Sequence, residues 1–185
     1  ILCSIILYAN IMKKFLLSLI AIVAIALTSS AQKVELQLGY GGYTQMDAMD
    51  MHDGWGGVNT AWGAVTMGVN FRVTPRLWIG PSYSFSSTTT KGGKHHSNIA
   101  YHVIMLNMRY TYYRNSIVDL YAHLGLGADI SHMQPRGADS YNKGYCAFQI
   151  VPLGANVALS RQVSMFGELG FGAQGLVQVG FRLGI

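Results

Sequence analysis

Val118-Asp119-Leu120-Tyr121-Ala122-His123-Leu124-Gly125-Leu126-Gly127-Ala128-Asp129-Ile130 alternates without a break. Val118, Leu120, Ala122, Leu124, Leu126, Ala128 and Ile130 form one set, and Asp119, Tyr121, His123, Gly125, Gly127 and Asp129 the other. Side chains of a β-strand point to opposite faces at every second residue, so this stretch is a strand with one apolar face and one polar or small face.

The same period recurs in Lys33–Tyr43, Ala61–Val73, Leu77–Phe85, Asn98–Tyr112, about Cys146–Leu159, Val163–Phe171 and Leu176–Ile185, which makes eight strands. Short breaks at Thr74–Arg76, Tyr113–Ile117 and Ser160–Gln162 alternate with long ones at Met46–Asn59, Ser86–Ser97 and Ser131–Tyr145. Tight turns at one rim, long loops at the other and an even strand count are the pattern of an outer-membrane barrel. Pro81 and Pro152 fall inside strands, where a closed sheet leaves no free edge for a missing N–H, and a bulge is expected at each.

Charge decides which face meets what. The apolar face carries no Lys, Arg, Asp or Glu on any strand, whereas the opposite face holds Glu35, Arg72, Arg109, Asp119, Asp129, Glu168 and Arg182. A soluble eight-stranded barrel shows the same period with the meaning reversed, apolar inside and charged outside. Turned toward water, the uncharged face would be an apolar patch far larger than soluble monomers expose, so lipid of the outer membrane is the expected partner. Only a closed barrel pairs every backbone group of such strands without water. The fold class expected is all-β: an eight-stranded antiparallel up-and-down transmembrane barrel, preceded by a signal peptide.

Composition agrees: 50% of residues are apolar and only 11% charged, against about a quarter in soluble domains. The formal charge of +5 is spread over turns, loops and one strand face, which does not suggest nucleic acid. Met12-Lys13-Lys14, the apolar run Phe15–Leu27 and Thr28-Ser29-Ser30-Ala31 read as a signal peptide over residues 12–31, with cleavage between Ala31 and Gln32. Residues 1–11 read as an over-extended reading frame, and residues 32–185 as the barrel domain. Cys146 is then the single cysteine of the mature chain, which excludes an internal disulfide.

Eight strands enclose a lumen that side chains fill, so the inward charges are expected to pair with one another. Glu35, Arg72 and Arg182 lie near one rim on strands that become neighbours when the barrel closes, which predicts Glu35 between the two arginines. Arg109 and Asp119 flank a short turn on one face, at the spacing of a diagonal cross-strand contact. Glu168 has no partner evident from the sequence. His102 and His123 are read as polar lumen residues.

The last hairpin, Glu168-Leu169-Gly170-Phe171-Gly172 through Gly175-Leu176-Val177-Gln178-Val179-Gly180-Phe181, resembles the small outer-membrane β-barrel domain proteins of Gram-negative bacteria. Within them the chain is similar to the eight-stranded group that includes the OmpA membrane domain and OmpX. The resemblance implies an outer-membrane location in a Gram-negative bacterium, insertion by the barrel-assembly machinery, and roles from adhesion to envelope integrity. Members usually finish on an aromatic residue that this machinery reads, whereas this chain finishes Phe181-Arg182-Leu183-Gly184-Ile185. No periplasmic peptidoglycan-binding domain follows Ile185, so the wall-tethering role of two-domain relatives is not implied.

Two sites of possible chemistry stand out. His95-His96-Ser97-Asn98 is similar to the His-x-Ser-Asn run of lipid A deacylases, which are also eight-stranded barrels, but no carboxylate follows to orient the histidine until Asp119 at the opposite rim. The first long loop, Met46-Asp47-Ala48-Met49-Asp50-Met51-His52-Asp53-Gly54, offers thioether, imidazole and carboxylate donors in no known metal spacing. The reading is a non-enzymatic outer-membrane barrel without metal or cofactor, acting through its long loops or as envelope structure. A lipid A acyl hydrolase using His95 and Ser97 and a narrow small-solute pore are the alternatives.

Overall fold

The computed structural model describes residues 34–48, 58–92, 95–134 and 141–185. The leader assigned to residues 12–31, the residues before it and the Ala31–Gln32 junction lie outside the described residues.

Eight strands run in order around one closed antiparallel barrel: β1 (Val34–Gly42), β2 (Val58–Arg72), β3 (Leu77–Gly92), β4 (His95–Arg114), β5 (Val118–Gln134), β6 (Tyr141–Ala158), β7 (Val163–Gly172) and β8 (Val177–Gly184). β8 returns to β1 with Leu38 opposite Phe181 and Tyr40 opposite Val179, which leaves no edge inside the wall. A single-turn helix, α1 (Gln45–Ala48), follows β1. The outward face is the apolar one: Leu38, Met67, Leu106, Leu124, Leu126, Leu153, Leu169, Val179 and Phe181 are all exposed. The polar face points into the lumen, where Thr66, Ser84, Asn107, His123, Gln149, Glu168 and Arg182 are buried.

Two of the three expected long loops are strand throughout their described residues. β3 continues through Ser86-Ser87-Thr88-Thr89-Thr90 to Gly92 and pairs with β4 down to its first residue, His95. β5 and β6 likewise pair as far as Met133 and Tyr141. The polar composition of these segments has a structural cause. Lumen-facing positions of a barrel strand want small polar side chains, and Ser86 and Thr88 are buried there. These four strands span 16 to 20 residues, beyond the roughly 9–11 that cross a bilayer, so their hairpins project past it.

The two prolines behave differently. At Pro152 the register slips against both neighbours, between Tyr121 and His123 on β5 and between Phe171 and Leu169 on β7, as a bulge requires. Pro81 has no bulge. It pairs with Leu106 in an unbroken β3–β4 ladder, and toward β2 two pairs drop out between Gly68–Ser82 and Phe71–Ile79 without a slip. Gly80 makes this possible, since a Cβ there would lie 1.8 Å from the Val69 carbonyl oxygen. A further bulge at Tyr112 shifts the end of β4, so that Arg114 comes opposite Asp119.

Candidate functional site

Four of the charges assigned to the lumen meet at its centre. Arg109 on β4 reaches across to Glu35 on β1 with two bonds, NH1 to Oε1 at 2.7 Å and NH2 to Oε2 at 3.0 Å. Arg182 on β8 donates to Glu168 on β7 at 2.9 Å and lies 3.5 Å from Glu35. Two guanidinium groups therefore balance two carboxylates, and the bidentate fork of Arg109 fixes the first pair. Glu168, without a partner evident from sequence, also accepts from the Tyr121 hydroxyl at 2.8 Å and meets His123 Nδ1 at 3.2 Å.

The arrangement corrects two expected contacts. Arg72 does not reach Glu35; its NH2 donates to the Pro75 carbonyl in the adjacent turn at 3.2 Å. Asp119 does not meet Arg109, because the Tyr112 bulge presents Arg114 to it instead, at 3.2 Å on the exposed rim. Glu35 selects Arg109 because the lumen is narrow enough for a side chain on β4 to span it. Strand adjacency predicts ladder neighbours, not contacts across the interior.

Polar and aromatic side chains complete the plug. Asn70 donates to Glu35 and Gln37, and Arg182 Nε donates to Gln37. His123 Nε2 meets Asn107 Oδ1 at 3.0 Å, and Asn107 passes the chain to Ser82 and so to Gln174 in the β7–β8 turn. The Arg182 guanidinium packs 4.0 Å from the Phe166 ring centroid and 4.8 Å from that of Tyr121. Among the described residues, a cavity of about 10 Å³ lies beside Asn107, Arg109 and His123, and one of about 40 Å³ toward the short-turn end. The first holds about one water.

Packing at Tyr121 is tight enough to test. A Cβ at Gly154 would lie 2.3 Å from the Tyr121 ring, so Gly154→Ala is expected to displace the ring from Glu168 and destabilise the barrel by about 1–3 kcal/mol. Unfolding midpoints in detergent check it. An unchanged midpoint would mean that the ring has room to move.

The upper lumen holds an apolar cluster beside the buried Ser84, Ser86 and Thr88 of β3, and the sequence reading missed it. Ile99, Tyr101, Val103 and Met105 of β4 point inward with Ala147 of β6 and Ala173, and Met46 of α1 is buried among them. The signal was present in Ile99–Met105, where the set Ile99, Tyr101, Val103 and Met105 is apolar and His102 interrupts the other set. Residues Thr44 and Asp47 fix α1 over this cluster: Asp47 Oδ2 accepts from the Thr44 N–H at 2.8 Å, and Thr44 Oγ1 from the Asp47 N–H at 3.3 Å. That reciprocal cap holds the short helix in place. Of the loop donors considered for a metal, Met46 is thus core and Asp47 a cap, while Asp50, His52 and Asp53 lie outside the described residues.

His102 is not a lumen residue. Its neighbours Tyr101 and Val103 point inward, and its own ring sits on the outer face against Phe85, with Nδ1 2.7 Å from the Tyr83 hydroxyl. His95 and Ser97 open β4, paired with Gly92 and Thr90. Both lie at the end of β4 farthest from the short turns.

A model of the outer membrane protein beta-barrel domain matches residues 15–174. Among solved structures, the N-terminal β-barrel domain of Pseudomonas aeruginosa OprF is similar at 12% identity, over 83% of this chain and 97% of its own, with a TM-score of 0.50. Ail, the attachment invasion locus protein of Yersinia pestis, solved with the heparin analogue sucrose octasulfate, is similar at 9% identity over 83% of this chain and 94% of its own, with a TM-score of 0.44. Comparison with the sequences of curated proteins finds no match. With a closed eight-stranded barrel, an apolar exterior and a domain match over most of its length, this chain belongs to the outer membrane protein beta-barrel domain family of the Gram-negative outer membrane.

Proposed function

We propose that the protein is a non-enzymatic barrel of the envelope, closed to solute flow, that acts through its wall and its two projecting hairpins in surface contact or envelope structure. The filled lumen carries this reading. Paired charges, polar side chains and the Met46 cluster occupy it in succession, and the two cavities between the central charges, of about 10 and 40 Å³, hold a few waters at most. The central charges, Glu35, Arg109, Glu168 and Arg182, pair with one another and offer permeating ions no vacant partner, while Asp129 nearer the long-hairpin end keeps one buried carboxylate oxygen without a hydrogen bond. Function then falls to what the rigid wall displays, the β3–β4 and β5–β6 hairpins above the bilayer. Insertion by the barrel-assembly machinery into outer-membrane lipid is part of the same reading.

The acyl-hydrolase alternative finds little support around Ser97. On the adjacent strand β5 the nearest described carboxylate is Asp129, which pairs with Val103, roughly 20 Å along the strand from Ser97. A histidine base needs an orienting group within hydrogen-bond reach. One preparation tests both alternatives: purified protein reconstituted in lipid vesicles containing lipid A. The expected result is no unit conductance above that of empty bilayers and no loss of acyl chains by mass spectrometry. A steady unit conductance, or an acyl loss abolished by Ser97→Ala and by His95→Ala, would overturn the proposal.

A further inference from the structure

The short-turn rim is built differently from the rest of the surface. Each of its three turns presents one arginine: Arg76 between β2 and β3, Arg114 at the end of β4, and Arg161 between β6 and β7. With Arg72 this places four guanidinium groups on the rim against a single side-chain carboxylate among the described residues of the turns and their flanks, Asp119, which takes Arg114. The side chains of Arg76 and Arg161 are exposed and pair with no carboxylate among the described residues.

Depth is the second observation. Exposed apolar side chains flank every one of these arginines within three residues: Val73 beside Arg76, Tyr113 and Ile117 around Arg114, Leu159 beside Arg161. Tyr110 and Tyr112 continue the same exterior band upward. Apolar groups on the outside of a barrel lie in the hydrocarbon and aromatic ones at its boundary, so guanidinium groups two or three residues beyond them fall at headgroup level. The turns hold them there. Thr74 Oγ1 accepts the Arg76 and Leu77 N–H groups, and Ser160 Oγ accepts those of Gln162 and Val163.

We propose that this rim binds the headgroups of anionic phospholipids in the periplasmic leaflet, with Arg76 and Arg161 donating to phosphate oxygens. Short turns of such barrels face the periplasm, which identifies the leaflet. A guanidinium fork matches phosphate oxygens in a way an ammonium does not, and a basic ring between apolar flanks suits a lipid surface better than a soluble polyanion. Peptidoglycan, the other acidic surface on that side, has no hydrocarbon to receive Val73, Ile117 and Leu159.

The test uses the full protein in phosphatidylcholine vesicles containing about one third phosphatidylglycerol, with spin-labelled forms of both lipids reporting their relative association at the protein surface. At low salt the wild type is expected to favour phosphatidylglycerol by about fivefold, in line with the strength of single basic residues near an anionic surface. High salt should abolish the preference. Arg76→Gln combined with Arg161→Gln should bring it close to unity, and the lysine double variant should keep part of it. Both residues are exposed, so the variants keep the fold, and heat-modifiable migration on gels verifies this. A wild type without preference, or a glutamine double variant that retains it, would overturn the proposal. Arginine-dependent binding to purified peptidoglycan in place of a lipid preference would also do so.

Discussion

Glu168→Gln lowers the unfolding free energy of the barrel by about 3–5 kcal/mol, the largest effect expected of any single lumen substitution. Glu168 is the hub of the interior: Arg182, Tyr121 and His123 all bond to it, and its carboxylate is 2% exposed. Removing its charge leaves the buried Arg182 guanidinium with only Glu35, at 3.5 Å and already engaged by Arg109. An unpaired buried charge costs far more than a lost hydrogen bond, because no water replaces the partner. By contrast Asp119→Asn, at the exposed pair with Arg114, is expected to cost no more than about 1 kcal/mol. Denaturant titrations of refolded protein in detergent or vesicles compare the two. Equal midpoints would show that the lumen is hydrated well enough to solvate Arg182. In Glu168→Gln/Arg182→Met the orphaned charge is gone, and part of the lost stability should return.

Leu124→Arg tests the outer face. Leu124 is 47% exposed, midway along β5 between Met108 and Ile150 on the flanking strands. An arginine at the bilayer midplane of such a barrel costs about 2–4 kcal/mol, and one near the interface about 0–1. Leu159→Arg, in a periplasmic turn, is therefore the matched control. Gly125 would be a poor one, since a Cβ there would lie 2.5 Å from Asn107 Oδ1. Folding yield and urea midpoints in vesicles should separate Leu124→Arg from Leu159→Arg by at least about 1 kcal/mol. If the two variants fold alike, the exposed leucines are not in lipid.

Strand count, face assignment and the class of fold were legible in the sequence because they depend on a local property. The period-two pattern of Val118–Ile130 and its seven counterparts is written residue by residue, and the absence of charge on one set is visible without coordinates. The inward set was legible for the same reason, down to Glu35, Arg109, Glu168 and Arg182. Loop extent was not. Ser86–Thr90 and the segments around Ser131 and Lys143 are polar as loops are polar, but inside a barrel small polar side chains are what a strand's lumen face requires.

Partners across the lumen belong to the tertiary structure alone. Closure brings β4 opposite β1, so Arg109 finds Glu35 although 74 residues separate them, and the Tyr112 bulge hands Asp119 to Arg114. Met46 fills an apolar pocket whose walls come from β4, β6 and the β7–β8 turn, a site that exists only once those elements enclose it. Periodicity sets which way a side chain points. What it meets there depends on barrel radius, on single-residue slips in register and on which wall stands opposite, and these are properties of the closed sheet that no window of neighbouring residues contains.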